Sequence, residues 1–234
     1  NKLILEGMFG KVRQYVTTKK LMDTGTVADF KVKAIILSHD AEKRKEFATA
    51  INKLDKAKRY HAEKEYLFAH NDRNEFLKNL IWSLENQNNL ILFDLVEKHG
   101  KVLQPILERE DRVLHFIHGG VSGEERERVR HLVENDTIKR HNILASYGTL
   151  STGYSLKRLD NIIFASGYKS EVKVLQSIGR LLRKGNGSDD TTLYDIVDDL
   201  TKGSFVNYTM QHFMKRVEIY DSEEFQYKII NVKL

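Results

Sequence analysis

The chain contains no cysteine and a single proline, Pro105, among its 234 residues. Lack of cysteine excludes a disulfide framework, a thiolate nucleophile and Cys-ligated zinc, and fits a reducing compartment, with the cytoplasm as the expected location. Long apolar runs are also missing. The stretch 161–165 with its flanks falls far short of the roughly 18 residues needed to cross a bilayer, and no charged-then-apolar leader opens the chain, so neither secretion nor a membrane span is expected. Nor is charge of one sign in large excess: 38 Lys and Arg against 33 Asp and Glu leave +5, with a pI near 9.1. A polyanion fits such a balance, which by itself decides nothing. Four motifs are absent as well. Without a Gly-x-x-x-x-Gly-Lys-Ser/Thr loop and an acidic magnesium tetrad there is no cradle for a triphosphate. Without a Gly-x-Ser-x-Gly elbow around Ser151 or Ser155 a hydrolase nucleophile is not expected. Because no Gly-x-Gly-x-x-Gly follows a strand, a doubly wound nucleotide transferase is disfavoured. The chain opens on Asn1 rather than Met and is read as a piece of something longer.

What is present, at 41% apolar and 30% charged content, describes a soluble α/β domain of the larger sort. From residue 90 onward, short apolar runs alternate with helical patterning. Strands are expected at 89–94 (NLILFD), 112–117 (RVLHFI), 142–146 (NILAS), 161–165 (NIIFA) and 192–197 (TLYDIV). Helices are expected at 97–109, 122–134 and 170–183, with Pro105 kinking or breaking the first. Runs at this spacing indicate a mostly parallel central sheet covered by helices on both faces. Upstream, 31–37 reads as a strand. Segments 40–54 and 71–84 read as charged helices capped by Asp40 and Asn71, and 18–25 as a short helix with Thr18 as cap and Gly25 as stop. The basic run 53–64 reads as a solvated helix face. Residues 208–225 read as one long helix, and 226–234 as a closing strand.

The most informative stretch is 176–185 (QSIGRLLRKG). On a helix Gln176, Gly179, Arg180 and Arg183 fall at i, i+3, i+4 and i+7, which puts an amide, a bare backbone position and two guanidiniums on one face. A planar guanidinium holds phosphate oxygens bidentately and keeps its charge, so this stripe suits an anion. From spacing alone, surface arginines snorkelling over apolar neighbours serve as well.

Gln-x-x-Gly-Arg-x-x-Arg resembles motif six of the superfamily-two helicases and translocases, and the other landmarks precede it in order. Residues 143–156 (ILASYGTLSTGYSL) resemble motif five, a strand running into a Ser/Thr/Gly loop. His118-Gly119-Gly120 with 122–126 (SGEER) is similar to the family's His-Gly turn before a helix, and 90–94 stands where motif four belongs. Phe9-Gly10, the 18–25 helix and 29–36 resemble the passage from a first motor domain to a second. The run of motifs and the 216–234 tail resemble the phage recombination helicases of that superfamily.

This resemblance implies a RecA-like fold divided into a connection at 1–30, a second motor domain at 31–205 with a helical, charged segment at 40–88, and a closing helix and strand at 206–234. It implies the second motor domain of an ATP-dependent DNA or RNA-DNA helicase or branch-migration translocase, acting in recombination, repair or replication restart. The cofactors would be ATP and Mg²⁺, with the metal held by a first RecA-like domain, and a phage-encoded chain would work in the host cytoplasm. Catalytic roles are implied for Arg183 as arginine finger, Arg180 on the terminal phosphate and Gln176 as coupler. Nucleotide contacts are implied for Gly153, Ser155, Gly179, Arg180 and Arg183. Ser155 stands where the family often carries an acidic residue, and its hydroxyl brings no charge. Backbone contacts to nucleic acid are implied for Ser146, Thr149, Ser151, Thr152, Gly153, His118, Gly119 and Arg126. Because the triphosphate cradle is missing, this chain alone is expected not to hydrolyse ATP. The rival reading is a non-catalytic nucleic-acid-binding or regulatory module on the same fold.

Other candidates are weaker. His115, His118 and His131 lack a completing carboxylate pair for a metal. Asp195, Asp198 and Asp199 read as a polar strand end and turn. Trp82 with Tyr60, Tyr66, Phe68 and Phe76 recurs at helical spacing, which signals core before a base-stacking platform.

Overall fold

The computed structural model describes residues 18–24, 29–136, 140–151, 156, 159–167 and 190–234. Elements run in the order α1 (Thr18–Asp23), β1 (Asp29–Ser38), α2 (Ala41–Asn52), α3 (Lys56–Phe68), α4 (Asn71–Ser83), β2 (Asn89–Phe93), a π-helical turn (Val96–Gly100) and α5 (Lys101–Leu107). They continue with β3 (Val113–Ile117), α6 (Gly123–Asn135), β4 (His141–Ser146), α7 (Tyr147–Ser151), β5 (Asn161–Phe164), β6 (Asp190–Asp199), α8 (Tyr208–Ser222) and β7 (Gln226–Lys233). The expected helix at 170–183 lies outside the described residues, as do Gly25, Phe9 and Gly10.

The seven strands form one sheet in the order β3-β4-β2-β5-β6-β1-β7, and every pairing is parallel. β2, β4 and β5 are buried at every position, which is why they read as unbroken apolar runs. One face packs Val32, Leu90, Leu92, Ile143 and Phe164 against Val129 and Val133 of α6 and Tyr220 of α8. The opposite face packs Leu37, Ile91, Phe93, Leu144 and Ile196 against Leu77 and Ile81 of α4 and Leu103 and Leu107 of α5. The fold is the RecA-like α/β arrangement expected.

β2 and β5 open on asparagine and β4 carries one at its second position, and those asparagines set the register. Asn89 Nδ2 donates to Asn142 Oδ1 (2.9 Å), and Asn161 Nδ2 donates to Asn89 Oδ1 (2.8 Å), a ladder across β4, β2 and β5. A one-residue slip would leave these buried amides without partners, at a cost of about 1–3 kcal/mol for each one left unsatisfied.

Local details depart from the sequence reading at several points. Asp40 caps α2 as expected, accepting from Lys43 N–H at 2.8 Å. For α4 the cap is His70 rather than Asn71: its Nδ1 accepts from Arg73 N–H at 3.4 Å while Asn71 is already helical. Thr18 is likewise the first helical residue of α1 instead of a residue before it. The helix expected at 97–109 is split into the π-helical turn and α5, with Pro105 inside the latter. That turn folds His99 back, so that its ring stacks on Phe68 at 3.9 Å. The long final helix stops at Ser222, where Glu224 takes a left-handed φ of 58° and turns the chain into β7.

The basic run at 53–64 is not uniformly solvated. Its inner end crosses the carboxyl edge of the sheet, with Lys64 paired to Asp94 just beyond β2. Glu63, 1% exposed, accepts from the N–H groups of Tyr208 (2.8 Å) and Thr209 (2.7 Å) and so caps the amino end of α8. Burial pushes the Glu63 carboxyl up, against the pull of those donors.

Candidate functional site

In a parallel sheet every strand ends on the same edge, and the loops leaving that edge are where ligands are met. Two of the segments singled out by sequence leave it side by side, because β3 and β4 are neighbours.

After β3 the chain turns through His118, Gly119 and Gly120. The Gly120 N–H donates to His118 Nδ1 (3.1 Å) and the Val121 N–H to the His118 carbonyl (3.0 Å). A Cβ on Gly120 would come 3.0 Å from the imidazole, so any other residue there would push the folded-back His118 ring aside by a few tenths of an ångström. Gly119 is exposed with nothing within 4 Å of where its Cβ would be, which leaves its backbone open to an approaching chain. Ser122 then caps α6, accepting from Glu125 N–H at 3.2 Å. Arg126 donates from Nε to the Val121 carbonyl (2.9 Å) and from Nη2 to the Gly119 carbonyl (3.4 Å), so it fixes the shape of the turn.

After β4 the chain enters the helical turn α7 where the sequence reading expected loop. Ser146 and Thr149, 7% and 2% exposed, share a hydroxyl–hydroxyl hydrogen bond of 2.8 Å. The pair holds the turn from inside, while Gly148 between them is exposed. Ser151 ends α7. Thr152, Gly153, Ser155, Gln176, Gly179, Arg180 and Arg183 lie outside the described residues.

The residues sequence reasoning missed lie beneath this edge. Asp195 and Asp198 are fully buried in β6 rather than sitting at a polar strand end, because each has a buried cation from a distant helix. Asp195 accepts from Arg216 Nε and Nη2 and from the Tyr220 hydroxyl, all at 2.9 Å. Asp198 accepts from Arg73 Nε at 2.8 Å and meets His39 Nε2 at 3.2 Å. Burial works to raise the Asp198 carboxyl, but Arg73 and His39 together hold it below the ordinary carboxylate range. For Arg216 burial disfavours the charge, and Asp195 overrides it to raise the guanidinium further. The signal available in sequence was a charge interrupting the apolar run TLYDIV, which marks a buried ion but not its partner.

Both arginines also reach the exit of β5. Arg73 Nη2 donates to the Ala165 carbonyl, and Arg216 lies against Gly167, where a Cβ would come 3.1 Å from Nη1. The Tyr147 hydroxyl donates to the Ser166 carbonyl at 2.6 Å.

His115 and His141 meet inside the fold. His115 Nε2 and His141 Nδ1 are 3.0 Å apart, and burial, with His141 and Arg128 adding to it, lowers the His115 pKa to about 4. Among the described residues no group of three His, Cys, Asp or Glu is placed to hold a metal ion, and no helix is long and apolar enough to cross a membrane. Phe68 is buried core, whereas Trp82 is half-buried under Lys78 and Arg109, each 5.1 Å from its ring.

Residues 72–185 match the helicase conserved C-terminal domain. Over 240 aligned residues the chain is 34% identical to the ATP-dependent DNA helicase uvsW of Enterobacteria phage T4, covering 97% of this chain and 46% of that protein. It thus spans about half the length of that relative. The crystal structure of T4 UvsW superposes at a TM-score of 0.70 with 30% identity, over 100% of this chain and 46% of that one. The ATP-dependent Type ISP restriction-modification enzyme LlaBIII bound to DNA superposes at a TM-score of 0.62, with 17% identity over 97% of this chain and 17% of that one. The C-terminal domain of the DEAD-box protein Dbp5 gives 0.52, with 12% identity over 90% and 92% of the two chains. At those identities the last two are likenesses of fold.

Proposed function

We propose that the chain is a second RecA-like motor domain of the superfamily-two helicases, the gripping half of an ATP-dependent DNA or RNA-DNA helicase, a branch-migration translocase of recombination, repair or replication restart. The observation that carries this reading is the convergence of the 118–120 turn and the 146–151 segment on adjacent strand ends, with Gly119 and Gly148 exposed between buried supports. Such a surface suits a sugar-phosphate chain, which is held by backbone and hydroxyl groups without regard to base identity. His118, Gly119, Gly148, Ser151, Thr152 and Gly153 form the nucleic-acid path, with the buried Ser146–Thr149 pair supporting it from beneath and Arg126 setting the turn at its edge.

Nucleotide belongs in a cleft between this domain and a first RecA-like domain, which supplies the phosphate cradle and the carboxylates for Mg²⁺. The donor chemistry of this chain fits that division: Arg183 as finger on the transferring phosphoryl, Arg180 on the terminal phosphate, and Gln176 linking cleft to nucleic acid. Gly179, with no side chain, suits close approach of the nucleotide, and Gly153 and Ser155 are the proposed ribose contacts. Fixed cations in a site closed to water best meet charge spread over phosphoryl oxygens. Residues 1–30 connect the two domains, and closing and opening of the cleft alternates the grip.

The test is reconstitution. The purified 234-residue chain should hydrolyse no ATP with or without DNA, and DNA-stimulated hydrolysis should appear once it is joined to a first motor domain carrying the Gly-Lys-Ser/Thr loop. Turnover by the chain alone, in a contaminant-free preparation, would overturn the assignment.

A further inference from the structure

Resting on that reading of the site, we propose that Tyr147 is the positioning residue through which nucleic acid held at 146–151 alters the chain's exit from β5 toward Arg180 and Arg183. Three consecutive residues of that exit are each held by a different element. Arg73 of α4 donates to the Ala165 carbonyl, Tyr147 of α7 to the Ser166 carbonyl at 2.6 Å, and Arg216 of α8 lies against Gly167. Two of these anchors belong to the core, because Arg73 and Arg216 are locked onto Asp198 and Asp195 in β6. Tyr147 differs. It follows Ser146 directly and opens the turn that carries exposed Gly148.

The sheet provides no other direct route between the two segments. β4 and β5 are separated by β2, so the backbone ladder cannot pass a shift straight from one strand end to the other. The Tyr147 side chain spans that gap: its ring stands edge-on to Phe164 with centroids 5.7 Å apart, and its hydroxyl reaches one residue past the Ala165 anchor. At 7% exposure it is shielded from the solvent that would otherwise compete for the Ser166 carbonyl. A ligand shifts an equilibrium only by interacting differently with its two states. With the hydroxyl in place the exit follows α7; without it, the anchors left among the described residues all belong to the core, the two arginines and the Leu92 carbonyl that accepts from the Ala165 N–H at 3.0 Å.

Hydrogen exchange on this chain tests the proposal, with a duplex oligonucleotide as probe and peptides spanning 160–190 as the readout. Duplex should slow exchange there about fivefold in the unaltered chain, the low end of ordinary site-to-site coupling. Tyr147→Phe keeps the buried ring and should bind the same duplex within about twofold, yet lose most of that response. Phe164→Leu, which loosens the ring contact and leaves the hydroxyl, should keep it. As a measurement that needs no variant, the carbonyl ¹³C shift of Ser166, which reports the hydrogen bond, should move on adding duplex. An unaltered chain that binds no duplex at low salt defeats the proposed function and this inference with it. Binding that leaves 160–190 and the Ser166 carbonyl unmoved defeats the inference alone. So does a Tyr147→Phe chain that responds like the unaltered one, or that loses affinity in proportion to its response, since Tyr147 would then be idle or a direct contact.

Discussion

Replacing Asp195 by alanine removes, in one step, the acceptor of three buried hydrogen bonds: two from Arg216 and one from the Tyr220 hydroxyl, each 2.9 Å long. Arg216 and Asp195 are 1% and 0% exposed, so the stranded guanidinium cannot turn to water. Its Nη1 already lacks a hydrogen-bond partner among the described residues, which deepens the deficit. Breaking such a pair from one side costs about 3–5 kcal/mol, against a total of roughly 5–15 for a domain. With a urea m-value of about 2–3 kcal/mol/M, the midpoint should fall by about 1–2 M at unchanged slope. The sole tryptophan, Trp82 on α4, provides the fluorescence signal. The matching triple change, Asp195→Leu with Arg216→Met and Tyr220→Phe, removes both charges and the hydroxyl that would be stranded, and should recover to within about 1 kcal/mol of the original, because apolar groups need no compensation. A loss under about 1 kcal/mol for Asp195→Ala, with slope unchanged, would show that Arg216 finds solvent and that the pair is not the buried support described.

Three further outcomes are expected. In a protein carrying both motor domains, Arg183→Ala should cut DNA-stimulated turnover by about 10³ while nucleotide-free DNA affinity holds, and Arg183→Lys should not rescue it; equal losses in both would make the arginine a DNA contact. Titrating salt against duplex affinity of the chain should give a log-log slope of about −0.9 per phosphate neutralised with little sequence preference, and a slope near zero would contradict backbone tracking. For His115 the folded-state pKa of about 4 lies below the ordinary 6.5, so the unfolded chain takes up the proton first on acidification. Stability from this group is whole above about pH 6.5 and is lost as pH falls toward 4, by at most about 3 kcal/mol and nearer 1–2 after solvent screening of a half-buried ring. His115→Gln should flatten that part of the urea-midpoint profile against pH, and an unchanged profile would place the proton uptake elsewhere.

β2, β4 and β5 were legible because each is buried on both faces, so NLILF, NILAS and NIIF carry their environment in their own composition. Asp40 was legible as a cap for a similar reason: the donor it satisfies lies three residues along the same chain. Asn71 misled because His70 immediately before it has an acceptor at the same reach. The basic run hid Glu63, whose partners are the 207–209 backbone and side chains more than 140 residues away.

The sequence by itself determined the α/β class, the order of strands and helices, and the residue types suited to phosphate, since local hydrophobic period, capping and motif spacing act over a few residues of chain. Only the tertiary structure decided which charges are buried and what they support. Arg73 lies 125 residues from Asp198, Arg216 lies 21 from Asp195, and Tyr147 lies 19 from the carbonyl it holds. Those pairings arise where helices from both faces of the sheet meet one strand end. Burying a charge there is tolerable only against a partner delivered by packing, and no local pattern encodes the partner's address.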